Sequence, residues 1–251
     1  MTFPAWSVIP FVLMLAAIAI APLIPSVAHV WEKPRTQLIF ALALGVPVAV
    51  AVWWAGHWDL VVHALVEYGS FIVLLLALYV VSGGIVLRGD IAATPRTNTI
   101  FLAVGGALAS FIGTTGAAML LIRPLLRTNS ERKHVAHTVV FAIFVVANCG
   151  GLLTPLGDPP LFLGMLRGVP FTWTFHLFPY WLFVLVLLLA TYWALDRKMH
   201  AKESPGDVQL DTSSTQPLRL GGTINLVWFA IIIAAVAFAP SVEGEALTEG
   251  H

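Results

Sequence analysis

The chain is poor in the residues on which soluble chemistry relies. A single cysteine, Cys149, stands among 251 residues, so there is no intrachain disulfide and no cysteine zinc pattern. Charged residues make up 10% of the chain, against about 25% in a soluble domain. Thirteen Lys and Arg balance thirteen Asp and Glu, and no basic block points to nucleic acid as a partner. The first apolar run lacks both a basic region before it and a clear cleavage site, so it reads as a retained helix rather than a signal peptide. What is abundant is apolar: 59% of residues are hydrophobic, with fifteen Phe and nine Trp, and mean hydropathy is +0.89. Such a composition describes an all-α polytopic membrane protein whose first partner is the lipid bilayer.

Seven apolar stretches stand out, at roughly 6–26, 37–56, 67–87, 97–126, 135–166, 176–196 and 223–240. A membrane crossing needs about 20 residues. Residues 197–222 are polar and rich in Ser, Thr, Pro and Asp, and read as a solvent-exposed linker. The basic residues then set orientation. Lys33 and Arg35, Arg88 and Arg96, Arg127 to Lys133, and the linker cations all face one side only if 97–126 enters the membrane and returns. The positive-inside rule therefore predicts a re-entrant helical hairpin over 97–126, a cytoplasmic linker and an external N-terminus, with only Arg167 outside. His134 and His137 read as interfacial histidines rather than zinc ligands, Trp181 as part of an aromatic belt, and Arg123 as a snorkelling cation.

Two breaks carry the chemistry. The hairpin needs a tip, and Gly113-Thr114-Thr115-Gly116 supplies one, with Gly113 ending the first half-helix and Thr114 or Thr115 capping the second. The second break interrupts 135–166 at Asn148-Cys149-Gly150-Gly151-Leu152-Leu153-Thr154-Pro155-Leu156-Gly157-Asp158-Pro159-Pro160. Here Gly150 or Gly151 is expected just past a helix end, and Asp158 caps a new helix opened by Pro159. Backbone broken at membrane depth is tolerated only where it is buried in protein or lines a wet cavity. Thr114, Thr115, Asn148 and Thr154 offer oxygen ligands suited to Na⁺, while free helix-start amides would suit an anion. Asp158 costs about 2.5–3.5 kcal/mol to insert, which makes it a functional candidate in which Na⁺ and H⁺ compete for one carboxylate. Gly116, Pro155 and Gly157 complete the structural breaks.

These motifs resemble the ion-transporter superfamily, and most of all its NhaD-like sodium/proton antiporter and citrate-transport branch. Ser82-Gly83-Gly84-Ile85, ahead of the hairpin, adds to the likeness. The resemblance implies a bacterial inner-membrane homodimer built of two inverted repeats, moving substrate by an elevator motion. By position, Thr114 and Thr115 match its hairpin-tip site, and Asn148, Thr154 and Asp158 its broken-helix site. The tip departs from the dicarboxylate-symporter pattern, with Thr-Thr-Gly where Ser-Asn-Thr is expected.

The expected organisation is a first transporter repeat over 1–196, with helix 176–196 closing it. The linker 197–222 follows, and 223–251 reads as the first helix of a truncated second repeat with an acidic tail. No second Thr-rich tip or Gly-Asp-Pro break occurs after residue 200, so the mirror half of the site is expected from a longer chain or a second one. The expected function is secondary ion transport, with Na⁺/H⁺ antiport ahead of Na⁺-coupled citrate or organic-anion symport and of a non-transporting scaffold. No enzyme constellation and no cofactor beyond the coupling ions is expected.

Overall fold

The structure, a computed structural model, describes residues 5–213 and 215–238. Compact packing divides the chain into two units at Tyr68 and Gly69. In the first, α1 (Ile9–Ile20) runs into a short 3₁₀ turn, Ala21–Leu23, and bends by 114° into α2 (Pro25–Trp31). Pro25 has no N–H to continue the preceding helix, so it opens a new one. α3 (Pro34–Trp54) likewise begins on a proline, and Trp31 meets Phe40 edge-on at 5.4 Å. No residue of α1, α2 or α3 is buried. Helices apolar on every side, with nothing to hide behind, are solvated by hydrocarbon.

α4 (Trp58–Gly83) leads into the second unit, which holds the core. After a short strand, β1 (Val86–Asp90), the chain forms α5 (Pro95–Ile112) and α6 (Thr114–Thr128), joined by Gly113 alone. The two lie back to back: a methyl group at Gly105 would sit 2.5 Å from Leu121, and Asn98 and Asn129 exchange side-chain hydrogen bonds of 2.8 and 3.1 Å at the open end. The next stretch starts as α7 (Ala136–Ala142), widens to π geometry over Ile143–Asn148 and tightens to 3₁₀ over Cys149–Leu153. It resumes as α8 (Pro159–Leu166) after an extended break. α9 (Phe178–His200) backs the assembly, with Leu185 and Tyr192 in the core.

This is an all-α multi-pass membrane protein with one small ribbon. Among the described residues four helical stretches are long and apolar enough to cross a bilayer, or five if the bent pair at Ile24 counts as one. Of the seven apolar stretches, 97–126 is divided between α5 and α6, and 135–166 is interrupted between Leu153 and Pro159. α11 (Ile224–Phe238) has 15 residues, short of the usual span.

The linker, largely solvent-exposed, carries structure of its own. Residues 205–213 form α10 (Pro205–Ser213), and β2 (Gln216–Gly221) pairs antiparallel with β1, Val86 opposite Gly221 and Asp90 opposite Gln216. The register shifts at Gly89, whose φ of +130° suits glycine. Trp181, expected at a membrane interface, is 7% exposed and belongs to the core, with the half-exposed Phe178 stacked on it. The acidic tail 241–251 lies outside the described residues.

Candidate functional site

The hairpin tip is a one-residue turn. Gly113 has φ +79°, a conformation that L side chains rarely adopt, and a Cβ there would also approach the Leu156 carbonyl at 3.4 Å. Gly113 itself takes the cap position of α6, so neither Thr114 nor Thr115 caps that helix; both sit in its first turn. Gly116 lets α6 close on α4, because a methyl group there would stand 2.9 Å from Ser82 Cβ.

The broken helix differs from its sequence reading in the same way. Gly150 and Gly151 do not adopt a left-handed turn; the helix continues through them as 3₁₀. Their role is proximity. A Cβ at 150 would lie 2.7 Å from the Gly106 carbonyl, and one at 151 would lie 2.6 Å from the Gly157 carbonyl. Asn148 donates to the Ile143 carbonyl at 2.9 Å, five residues back, and its side chain is exposed. Asp158 occupies the cap position of α8 with extended backbone, but its carboxylate makes no capping bond.

Ser110, on α5, anchors the break and escaped the sequence reading. Its hydroxyl donates to the Gly150 carbonyl and accepts from the Leu153 amide at 3.3 Å. Thr154 answers by donating to the Ser110 carbonyl and accepting from the Leu156 amide at 3.2 Å. A buried serine facing a glycine-rich break was the available signal, but one serine in an apolar helix carries little weight alone. Thr154 is thereby committed to holding the loop.

The two breaks meet: the Thr114 amide donates to the Gly157 carbonyl at 3.1 Å. Beside this contact lies a cavity of about 360 Å³, walled by Gly113–Gly116, Pro155–Pro159, Phe162 and one face of α4. Of the five expected ion-site residues, Thr114, Thr115 and Asp158 line it together. Asn148 and Thr154 do not. Among the described residues Asp158 is the one acid on the wall, and no Lys or Arg lines it. Pro159 and Pro160 occupy the first two positions of α8, so that helix start offers no N–H there to an anion. Oxygen ligands, a carboxylate and no cation make this wall chemically suited to a positive charge. Among the described residues no His, Cys, Asp and Glu group could hold a metal ion.

A second polar cluster was not read from the sequence at all. Arg132, its side chain 3% exposed, pairs with Asp196 at 2.6 Å and donates to the Ala93 carbonyl at 3.2 Å and Asn129 Oδ1 at 3.3 Å. Asp196 also bonds His137 Nε2 at 2.8 Å, and His137 stacks on Tyr192. Glu203, from the linker, accepts the amides of His134 at 2.9 Å and Lys133 at 3.1 Å. Burial would raise the Glu203 carboxyl, but these amides, with His134 and Arg132 close by, hold it below its ordinary value. His137 is thus part of a buried network and not an interfacial side chain. The available signal is Asp196, the one acid of α9, just ahead of the basic Arg197, Lys198 and His200.

No curated protein and no solved structure matches the chain. The sequence model of one family does match, over residues 1–249. With its apolar helices and its two touching breaks, the chain belongs to that family of membrane transporters, described as "Putative citrate transport".

Proposed function

We propose that the chain is a Na⁺/H⁺ antiporter whose ion site is the cavity between the hairpin tip and the broken helix. One observation carries this reading: the wall shared by Thr114, Thr115 and Asp158 holds a single carboxylate and no basic residue. A carboxylate at such a site takes either a proton or a sodium ion, and exchanging one for the other is antiport. Asn148, exposed at the π-to-3₁₀ junction, and Thr154, which holds the loop, act around the site from outside the cavity wall. The basic clusters support a cytoplasmic 197–222, an external N-terminus and residence in a bacterial inner membrane. A homodimer supplying a second such site is part of the same proposal.

The family description, citrate transport, favours a second reading, which we take as Na⁺-coupled symport of citrate. A carboxylate substrate needs donors, and the paired prolines at 159–160 withhold them at one of the two helix starts. The test is a pH-sensitive dye in everted vesicles containing the protein. Added Na⁺ should dissipate the proton gradient, and Asp158→Asn should abolish the response while protein level stays unchanged. Na⁺-driven citrate uptake with no proton movement would overturn the antiport assignment.

A further inference from the structure

The cavity is far too large and too apolar for Na⁺ alone. At about 30 Å³ per water, 360 Å³ would hold on the order of a dozen waters. Each water needs two to four polar partners, and away from Asp158 and the hydroxyls the apolar wall supplies few. Thr114, Thr115 and Asp158 bring polar groups to the wall where the Gly113 tip meets the Gly157 loop, and Tyr79 adds a phenol from α4. Phe71, Leu75, Leu78 and Phe162 line the rest, with Phe71 and Phe162 stacked at 6.4 Å between centroids. A volume of this size with mostly apolar walls and a few polar groups is that of a small-molecule site.

We infer that the cavity binds an amphipathic organic cation, an aromatic or alkyl ammonium, whose charge sits at Asp158 and whose apolar body lies against Phe71 and Phe162. Charge decides the class. An anion would face Asp158 with no Lys or Arg on the wall to offset it. A neutral apolar guest would strip water from the carboxylate and leave it unpaired, which costs free energy. An ammonium with an aromatic body satisfies the carboxylate and gains from the ring faces. This inference rests on the cation-site reading of Asp158 given above. It adds that Na⁺ and organic cations compete for one carboxylate.

The probe is benzyltrimethylammonium, measured against purified protein in nanodiscs by calorimetry, with neopentylbenzene as its uncharged isostere and the Na⁺ response of vesicles followed in parallel. Saturable binding is expected, displaced by Na⁺, lowered at least tenfold by Asp158→Asn and not reproduced by neopentylbenzene. Phe71→Ala should weaken the probe about two- to fivefold more than it weakens Na⁺, in line with the loss of one ring face, and Phe71→Tyr should restore it. An intact Na⁺ response with no probe binding would overturn this inference and leave antiport standing. Equal competition by neopentylbenzene, or undiminished probe binding in Asp158→Asn, would overturn it as well. Probe binding that needs Asp158 in a protein with no Na⁺ response would support the organic-cation site and overturn antiport.

Discussion

Asp158 and Asp196 are both acids at the ends of apolar helices, and the fold treats them oppositely. Asp158 opens α8, lines a cavity and makes no capping bond. Asp196 sits in the last turn of α9, fully buried, with Arg132 at 2.6 Å and His137 at 2.8 Å. One is left for a mobile partner, while the other has its partners built in. Neutralising them should therefore separate function from folding. Asp196→Asn takes from the buried Arg132 guanidinium its 2.6 Å partner and leaves it only Glu203 at 3.7 Å, a loss of up to about 3–5 kcal/mol seen as a lowered thermal transition in detergent. Removing both partners, Arg132→Met with Asp196→Leu, should recover most of that stability. Asp158→Asn should leave the thermal transition within about 1 kcal/mol of the parent, since it breaks no ion pair among the described residues. If Asp158→Asn unfolds the protein, the contrast fails.

The breaks differ from their flanking helices in how little space they allow. At Gly151 an added methyl meets the Gly157 carbonyl at 2.6 Å and Thr114 Cγ2 at 2.7 Å, backbone and tip that cannot swing aside. Gly45, on α3, has nothing within 4 Å. Gly151→Ala should cost about 1–3 kcal/mol and separate the tip from the loop, suppressing the Na⁺ response. Gly45→Ala should be neutral to slightly stabilising in the same assays, because alanine is the better helix former. Equal behaviour of the two would show that the touching breaks are not the sensitive point of the molecule.

How much of this was legible depends on whether the information is local. The hairpin turn at Gly113 and the helix start at Asp158-Pro159-Pro160 were readable because glycine and proline act on their own backbone. Which polar group meets which was not readable. Ser110 and Thr154 bond across 44 positions, and Arg132 reaches Asp196 across 64. Nothing in the local sequence marks Thr154 as a loop fastener, or Asn148 as lying off the cavity wall. The docked linker was hidden for the same reason, since its polar composition describes both a tether and a surface element tied down by Glu203 and Asp211.

The linker offers a milder version of the opening contrast, because its acids are pushed in opposite directions. Glu203 lies below its ordinary value, so the stability it contributes is present above the usual glutamate range, about 4.3, and fades as pH falls through the lower folded value. Asp211 is raised by burial, even though it accepts the Ala93 amide at 2.9 Å, with Glu131 and Asp90 adding to the rise. Its contribution is fullest below the usual aspartate range, about 3.9, and is lost as pH rises through the raised value. Hydrogen exchange over 205–213 in the Glu203→Gln protein should therefore quicken with rising pH, beyond the intrinsic rate. In Asp211→Asn the remaining dependence should reverse, with protection failing only in acid. Identical profiles would show that the two acids are not independent fasteners.

The smallest effect belongs to Arg127 and Asp90, which place an ion pair on the same surface without the burial that makes Arg132 decisive. Their separation is 3.9 Å and the Arg127 side chain is 58% exposed, so solvent screens most of the attraction. Asp90 confirms the weakness from its own side. Burial and Glu131 raise its carboxyl more than Arg127 lowers it. Arg127→Ala should change stability by less than about 1 kcal/mol, and the difference should vanish at high salt. Arg132→Ala, five residues along the same turn of chain, should remain severe at any salt concentration, because its partner is out of reach of counterions. A salt-insensitive loss at Arg127 would mean that the surface between β1 and α6 is packed as tightly as the cluster behind it.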